Sequence, residues 1–466
     1  MENKDKFFTI KNISMFLKKH RIVVVGQRIS DFLILLRTIP VEALIVCEED
    51  LSIDKYSEEC LVVSQESIDH RRRKWSNQSL GKLTSFSNLL FKEHLSETPI
   101  EIITYSASKE WENIAFLSEG KLKITAPSVD VKNLIDNKIF TRFSLENLGL
   151  PVPQSIEVSN IHLDFSYLKN MLGEPFILQA PMGSSGKGTF LIDNECLLDE
   201  IKNSCFSNIW LASRYMGNMT VNVHGIAQPN NIYISMPSVQ ITGLKELTGM
   251  WGSYCGNDFF AAQNISKSVK TKIQKMVEAV GQWLFKLGFI GIFGVDFVLN
   301  GEDAYIIEIN PRIQGSTWLL SEIELLSGRV PILLKHTMLI LEEKAIYENT
   351  KELVKSNTIG ASYLLIRSTF NKPIKLHHNF HIGAYAFDSM DMLQWKHECT
   401  GLIELNDDEI LVFGLPIHRD AIIEPGSVIV RIASKQQLIT DDGQYLTSFG
   451  HKVVKAIKDE LKQREI

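Results

Sequence analysis

Residues 292–316 read IFGVDFVLNGEDAYIIEINPRIQGS, two apolar runs joined by an Asn-Gly pair, which predicts a β-hairpin. Glu308 and Asn310 share one face of the second strand because side chains alternate with a period of two. Asp296 reaches that face only if the turn has an odd number of residues or a strand carries a bulge, and we expect an odd-length turn. The face then holds two carboxylates and an amide oxygen, hard ligands that suit Mg²⁺.

Arg312 comes just after the second strand and can hold a carboxylate or a phosphoryl group through its bidentate fork. The alternative for the whole stretch is an exposed hairpin edge with solvated acids. Asp296 and Glu308 interrupt otherwise apolar runs, however, and two acids beside an apolar layer favour a bound cation.

A second stretch, residues 175–192, reads PFILQAPMGSSGKGTFLI and sets two strand-like runs around a Gly-rich turn. Closely spaced glycines let backbone N–H groups converge on an anion, and a lysine adds positive charge, so one interpretation is a phosphate cradle. A flexible hairpin is the other. The spacing differs from the Walker pattern, and a strand rather than a helix follows. The turn contains Gly183, Ser184, Ser185, Gly186, Lys187 and Gly188.

Composition narrows the class of protein. A chain of 466 residues is longer than one core usually supports, and its 44% hydrophobic residues are typical of globular proteins. The net charge of −6 gives no reason to expect a nucleic acid or a membrane as partner. The six cysteines are scattered without a CxxC pair, and neither a signal peptide nor a membrane-spanning run is visible, so we expect a cytoplasmic protein.

Three domains follow from the pattern of apolar runs. Residues 1–128 alternate strand-like and helix-compatible segments, which predicts an α/β domain with a mostly parallel sheet, and they lack the GxGxxG of dinucleotide sites. Residues 129–345 open with a predicted helix that ends before Gly149, and they contain both stretches quoted above. Residues 346–466 predict a small α+β domain. The basic run 70–74 (HRRRK) is interpreted as a solvated loop rather than a docking patch.

The order of these motifs resembles that of the ATP-grasp superfamily of ligases. The resemblance rests on DFVLNGEDAYIIEINPR, preceded by GSSGKG and by NKIFTRFSLENLGLPVP, and it covers roughly residues 129–345. It implies a multidomain α/β and α+β chain with an ATP-grasp fold, in which two subdomains hold ATP between them. The N-terminal block resembles the Rossmann-like domain that usually precedes this fold, and the C-terminal block resembles the small domains appended to it.

The resemblance also implies roles for single residues. Asp296, Glu308 and Asn310 match the magnesium ligands of the family, and Arg312 matches the arginine that steadies the transferred phosphoryl group. The expected cofactors are ATP and Mg²⁺, with two ions bound and Mn²⁺ as a substitute. Nucleotide-binding positions are expected at Lys138, Gln179, the Gly-rich turn, and Arg214 and Tyr215 in the hinge 211–215.

Two positions depart from the family pattern. Gln179 stands where a second phosphate-binding lysine is usual, and glutamine donates hydrogen bonds without charge. Asn222 stands where an acid is common. His224 is interpreted as a strand residue rather than a general base.

The expected reaction is the phosphorylation of a carboxylate by ATP, followed by attack of an amine on the acyl phosphate. The substrates are then a small carboxylate and an amine, for example an amino acid or a natural-product precursor. One alternative is a ligase that loads an acid onto a carrier protein, and another is an inactive nucleotide-binding protein. A homodimer is expected from family habit. Substrate contacts are expected from Gln240, Lys245, Asn257, Gln314, Gly315 and Ser316.

Overall fold

A computed structural model of the chain describes residues 10–51, 60–74, 79–86, 98–183, 186–204, 206–229, 231–342, 359–378, 380–416 and 421–465. The strands in this part of the chain are β1 (Arg21–Arg28), β2 (Ala43–Glu48), β3 (Leu61–Ser64), β4 (Arg71–Arg72), β5 (Ile100–Thr104), β6 (Leu122–Thr125), β7 (Ser155–Ser159), β8 (Phe176–Gln179), β9 (Thr189–Ile192), β10 (Ile209–Arg214), β11 (Thr220–Ala227), β12 (Tyr233–Thr242), β13 (Tyr254–Asp258), β14 (Gly291–Asn300), β15 (Asp303–Asn310), β16 (Ser362–Arg367), β17 (Ile374–His377), β18 (Gly383–Phe387), β19 (Leu393–His397), β20 (Ile410–Phe413), β21 (Ile422–Ile423), β22 (Val428–Ser434) and β23 (Lys462–Glu465).

The α-helices in the same part are α1 (Ile10–Leu17), α2 (Leu33–Thr38), α3 (Gln65–Asp69), α4 (Ser79–Lys82), α5 (Lys109–Leu117), α6 (Val129–Asp136), α7 (Lys138–Asn147), α8 (Phe165–Leu172), α9 (Glu195–Asn203), α10 (Lys267–Lys286), α11 (Thr317–Leu326), α12 (Ile332–Glu342) and α13 (Ser448–Glu460). None of the described helices is long and apolar enough to cross a membrane.

The N-terminal block forms a parallel sheet in the order β3-β2-β1-β5-β6. The predicted α/β layer with a mostly parallel sheet is therefore confirmed. Strand β2 is buried along its whole length, as expected for a central strand of a parallel sheet covered on both faces. The carboxyl ends of β1 and β2 point toward the site described below.

A small antiparallel sheet, β7-β10-β8-β9, carries the Gly-rich turn between β8 and β9. It packs on α8 and α9 around Trp210 and Phe176, and this hydrophobic cluster contains only residues between positions 156 and 212. The Gly-rich turn therefore belongs to a unit with a core of its own.

A larger sheet joins the middle and C-terminal blocks, in the order β15-β14-β11-β12-β13-β16-β22-β20-β18-β19. The junction is the antiparallel pair β13 and β16. Gly256 makes it possible, because a Cβ at that position would lie 1.8 Å from the Tyr363 carbonyl oxygen and its φ is +132°. The described C-terminal strands thus extend the central sheet, while the domain boundaries at 128 and 345 stay predictions.

The helix predicted before Gly149 is two helices. Asn137 ends α6 and caps α7, where its Oδ1 accepts hydrogen bonds from the backbone N–H groups of Ile139 and Phe140. An asparagine side chain competes well for these N–H groups at a helix start. The break places Lys138 in the first turn of α7, next to the Gly-rich turn.

The interpretation of residues 70–74 as a solvated loop is wrong. Arg71 and Arg72 form β4, which pairs with β21 of the C-terminal block. Arg72 is fully buried, and its guanidinium contacts Glu66 at 2.8 Å and the Gly414 carbonyl. A buried arginine needs such partners, and they fix the segment against the C-terminal strands.

A buried histidine gives a prediction about pH. His336 in α12 accepts a hydrogen bond at Nδ1 from the Ile292 N–H (3.1 Å), and burial lowers its pKa to about 3. The unfolded chain takes up this proton near pH 6.5, so the stability it contributes is complete above that pH and is lost as the pH falls toward 3. At pH 5 the loss is about 2 kcal/mol.

We therefore expect the melting temperature of His336→Asn, which keeps an acceptor at the Nδ1 position, to decrease less between pH 7 and pH 5 than the melting temperature of the wild type does. Melting curves at both pH values check this. An equal loss in the two proteins would contradict the assignment of a neutral buried imidazole.

Candidate functional site

A cavity of about 450 Å³ lies where the three blocks meet. The small antiparallel sheet and the hinge contribute one wall, the central sheet contributes the floor, and the ends of β1 and β2 contribute the far wall together with β16 and β22. A cleft of this size between subdomains is typical of a site for a small ligand.

The register of β14 and β15 places Asp296 opposite Glu308. The predicted odd-length turn is wrong, because Asn300 pairs with Asp303 across a two-residue turn. A bulge restores the shared face: Phe297 pairs with Ile306, and Ile307 is the extra residue. The two carboxylates therefore share a face because of a bulge, which was the alternative to an odd-length turn.

Asp296 is the centre of a buried hydrogen-bond chain. Its Oδ1 accepts from Asn222 Nδ2 (2.6 Å) and its Oδ2 from Asn310 Nδ2 (3.0 Å). Asn310 Oδ1 in turn accepts from Arg312 Nη2 (2.8 Å). Burial, followed by the charge of Glu308, raises the pKa of Asp296 to about 6. The chain holds the carboxylate, the amides and the guanidinium in one fixed arrangement.

The donors around Asp296 fit a cation. Asn222 lies beside Asp296 on β11, and its Oδ1 is buried without a hydrogen-bond partner in the described part of the chain. With Asp296, Glu308 and Asn310 it gives a set of oxygen donors of the kind that Mg²⁺ prefers. The described residues contain no group of three or more His, Cys, Asp or Glu side chains placed to hold a metal, so amide oxygens have to complete the set.

Behind this chain lies a second layer of polar contacts. Gln314 Oε1 accepts from Asn222 Nδ2 (2.9 Å), and the Gln314 N–H donates to Thr317 Oγ1 (2.9 Å). His224 is fully buried with Nε2 3.1 Å from the same hydroxyl, and burial lowers its pKa to about 3. His224 is thus a neutral strand residue, as expected, and it supports Gln314 through Thr317.

Lys138 connects strand β15 to the Gly-rich turn. Its Nζ lies 3.0 Å from Glu308 Oε1 and donates to the Gly183 carbonyl (3.0 Å). Gly186 and Gly188 both have φ +78°, and a Cβ on Gly186 would lie 2.5 Å from the Gly252 carbonyl oxygen. Glycine therefore lets the turn approach the opposite wall closely.

Other predicted nucleotide positions are distributed unevenly. Gln179, Arg214 and Tyr215 line the cavity, whereas Lys187 is exposed and is not among the lining residues of the described chain. Gln179 Nε2 lies 3.4 Å from Thr189 Oγ1, a long contact that leaves most of its amide free for a ligand. Ser184 and Ser185 lie outside the described residues.

The predicted substrate residues divide in the same way. Lys245 is exposed on the turn after β12 and does not line the cavity, so the structure places it away from the site. The amide of Asn257 is fixed from both sides, by Tyr254 Oη (2.6 Å) and by Ser238 Oγ (2.9 Å). The predicted residues that do line the cavity are Gln240, Asn257, Gln314, Gly315 and Ser316.

Comparison with known proteins identifies the middle of the chain. Residues 135–316 match the model of the ATP-grasp domain. The chain contains an ATP-grasp domain. A curated relative, the [butirosin acyl-carrier protein]–L-glutamate ligase of Niallia circulans, is 28% identical over 215 residues, which is 43% of this chain and 48% of that protein. The chain thus aligns with about half the length of this relative.

Solved structures share the fold over nearly the whole chain. Biotin carboxylase from Campylobacter jejuni has a TM-score of 0.60 at 16% identity, with 96% of this chain and 92% of that chain covered. Carboxyaminoimidazole ribonucleotide synthase from Aspergillus clavatus has a TM-score of 0.55 at 14% identity, with 95% and 99% covered. The ATP-grasp fold, with a parallel-sheet domain before it and antiparallel sheets after it, is therefore confirmed.

The ATP-grasp domain also contains a residue that the sequence analysis missed. Arg142 is buried in α7, one turn after Lys138, and it donates to Ser155 Oγ (2.6 Å), Ser213 Oγ (3.1 Å) and the Ile307 carbonyl (3.0 Å). Ile307 is the bulge residue, so Arg142 satisfies the carbonyl that the bulge frees. In the sequence, Arg142 follows Lys138 by four residues, which places the two side chains on one face of a helix and could have identified Arg142 as a site residue.

We expect Arg142→Lys to lower both the melting temperature and kcat, the latter by roughly tenfold, because lysine cannot reproduce the fork and hydrogen bonds to charged groups contribute about 1.5–3 kcal/mol each. Melting curves and turnover measurements check this. Arg21→Lys, outside the cavity at a partly exposed position where the arginine pairs with Glu42, is the matched control. Wild-type values for Arg142→Lys would contradict its role in positioning the bulge.

Proposed function

We propose that this protein is an ADP-forming ligase that activates a carboxylate as an acyl phosphate and joins it to an amine. The observation that carries the proposal is the chain Asp296–Asn310–Arg312 on the floor of the cavity, facing the wall that carries the Gly-rich turn and the hinge. Such an arrangement suits phosphoryl transfer, in which catalysis is mostly positioning and electrostatics.

In the first step, an oxygen of the substrate carboxylate attacks the γ-phosphorus of ATP, and the bond between that phosphorus and the β,γ-bridging oxygen breaks. The products are an acyl phosphate and ADP. In the second step, the amine attacks the acyl carbon, inorganic phosphate leaves and the nitrogen loses a proton. Arg312 stabilises the charge on the transferring group, because its Nε is buried without a hydrogen-bond partner among the described residues.

We assign the metal to Asp296, Glu308 and Asn310, with Asn222 beside them. A Mg²⁺ ion held by these residues would neutralise charge on the phosphate oxygens. Two ions, and Mn²⁺ as a substitute, belong to the same proposal. We assign phosphate contacts to Lys138, Gln179 and the Gly-rich turn, and nucleoside contacts to Arg214 and Tyr215.

A second candidate is a ligase whose acid or amine is attached to a carrier protein. It is favoured by the Niallia circulans relative, whose name states a carrier protein as substrate. The basic run at residues 70–74 does not add support for carrier docking, because Arg71 and Arg72 are paired into a sheet. We place the free small-molecule reaction first. The homodimer and the cytoplasmic location stay predictions.

The deciding experiment measures ADP release from ATP and Mg²⁺ with single carboxylic acids from an amino-acid library, with and without hydroxylamine. We expect acid-dependent ADP release and a trapped hydroxamate, which identifies the acyl phosphate. The same library attached to a carrier protein tests the second candidate. ATP binding without acid-dependent ADP in either series would contradict a ligase and favour the inactive nucleotide-binding protein.

A further inference from the structure

The cavity continues past Arg312 to a basic end. Basic side chains outnumber acidic ones along its described lining, and those near the nucleotide wall and the metal strands are Arg142, Arg214 and Arg312. The basic residues at the other end come from the N-terminal and C-terminal blocks. They are Arg28, Arg73, Lys74, Arg367 and Arg431.

Three of these five cations are neutralised by carboxylates. Arg28 contacts Asp31, Arg73 contacts Asp69, and Arg431 Nη2 lies 2.6 Å from Glu48 Oε2. A charge that is paired in this way contributes little net attraction for a ligand. These three ion pairs therefore stabilise this end of the cavity, and the remaining two cations are Lys74 and Arg367.

Lys74 and Arg367 make no ion pair with any described residue. Arg367 is buried and donates to main-chain carbonyls alone, with Nε to Tyr254 (3.0 Å) and Nη1 to Gly426 (3.0 Å). Lys74 has neither an ion pair nor a hydrogen bond to the described chain and is half-buried. Two partly desolvated cations without an ion-pair partner among the described residues are costly, so a ligand anion fits as their partner.

The two side chains lie close together. Lys74 Cδ is 3.7 Å from the position a Cβ would take on Gly426, the residue whose carbonyl accepts from Arg367. Burial, and then the charges of Arg367 and Lys187, lower the pKa of Lys74 to about 8. The pairing of β4 with β21 fixes the chain just before Lys74, so this placement is held by backbone hydrogen bonds.

We propose that Lys74 and Arg367 form an anion subsite, which binds a second anionic group of the acid or amine substrate, one that does not react. This inference rests on the proposed ligase function and specifies its substrate class: a small molecule with a further carboxylate or a phosphate. Carboxylate and phosphate share the required chemistry, charge and acceptor oxygens for a lysine and an arginine.

The test is calorimetric titration of the full chain, saturated with MgADP, with succinate, inorganic phosphate and acetate. We expect succinate or phosphate to bind at least about tenfold more tightly than acetate, and the tighter of the two identifies the group. Lys74→Met should raise the Kd of that anion at least about tenfold while the Kd for MgADP changes less than threefold. Lys245→Met, an exposed lysine outside the cavity, is the matched control and should bind as the wild type does.

Arg367→Gln should weaken anion binding in the same way. Because Arg367 is buried, the melting curve of Arg367→Gln is recorded first. If Arg367→Gln does not fold, the test rests on Lys74→Met. Equal binding by wild type and Lys74→Met, equal loss in Lys245→Met, or no binding of either divalent probe would each overturn the subsite. None of these outcomes depends on turnover, so failure of the subsite and failure of the proposed ligase reaction are distinguishable.

Discussion

Arg312→Ala is expected to lower kcat roughly 1,000-fold while the Kd for MgATP changes by less than about threefold. Arg312 donates to Asn310 and to the Ile313 carbonyl, which fixes its guanidinium at the end of the hydrogen-bond chain that starts at Asp296. Its buried Nε is available for a group that develops charge during transfer. The loss should therefore fall on the chemical step rather than on nucleotide binding.

The measurements are hydroxamate formation and the Kd for MgATP. Arg312→Lys keeps the charge but loses the fork, so its kcat should fall between those of the wild type and the alanine variant. Arg21→Ala, which removes an arginine outside the cavity that pairs with Glu42, is the control for general damage. Wild-type hydroxamate formation by Arg312→Ala would rule out the assigned role.

Asp296→Asn should also stop turnover, by on the order of 1,000-fold, and should raise the Kd for Mg²⁺ at least about tenfold. The amide is nearly isosteric, but it lacks the charge that a divalent cation requires. The fold should survive, because burial already disfavours the ionised form of this group, as the raised pKa of about 6 indicates. The melting temperature without metal should fall only modestly, because the asparagine keeps one of the two hydrogen bonds that Asp296 accepts from Asn222 and Asn310.

Turnover, Mg²⁺ titration and melting curves check this second prediction. Asp303→Asn is the matched control: it lies at the other end of the same hairpin, exposed, in an ion pair with Lys272. Retained turnover in Asp296→Asn, or equal loss in Asp303→Asn, would show that the carboxylate does not hold the metal.

Much of this site followed from local patterns. Alternation predicted that Glu308 and Asn310 share a face, and the structure places both beside Asp296. The source of the shared face was predicted wrongly, because the alternation of residues in the hairpin does not distinguish a bulge at Ile307 from an odd-length turn. Arg142, on helix α7, donates a hydrogen bond to the Ile307 carbonyl, and no pattern within the hairpin indicates this contact.

Other differences have the same cause. Composition predicted that the basic residues 71 and 72 are solvated, yet they pair with residues 422 and 423, some 350 positions later. Asn222 looked like a departure from the family pattern, whereas its position on β11 brings it next to Asp296. Lys245 lies in the segment expected to contact the substrate, but its turn directs it to solvent. Contacts between distant segments decide the first two of these cases.

The junction between β13 and β16 has a consequence for any shortened version of the protein. Without the residues from 359 onward, β13 would become an edge strand of the central sheet and would present unpaired backbone N–H and C=O groups to solvent. Exposed edges of this kind recruit strands from other molecules. The same cut would remove Arg367 and Arg431 from the cavity wall, so truncation before residue 359 should yield an aggregating chain rather than a minimal ATP-grasp module.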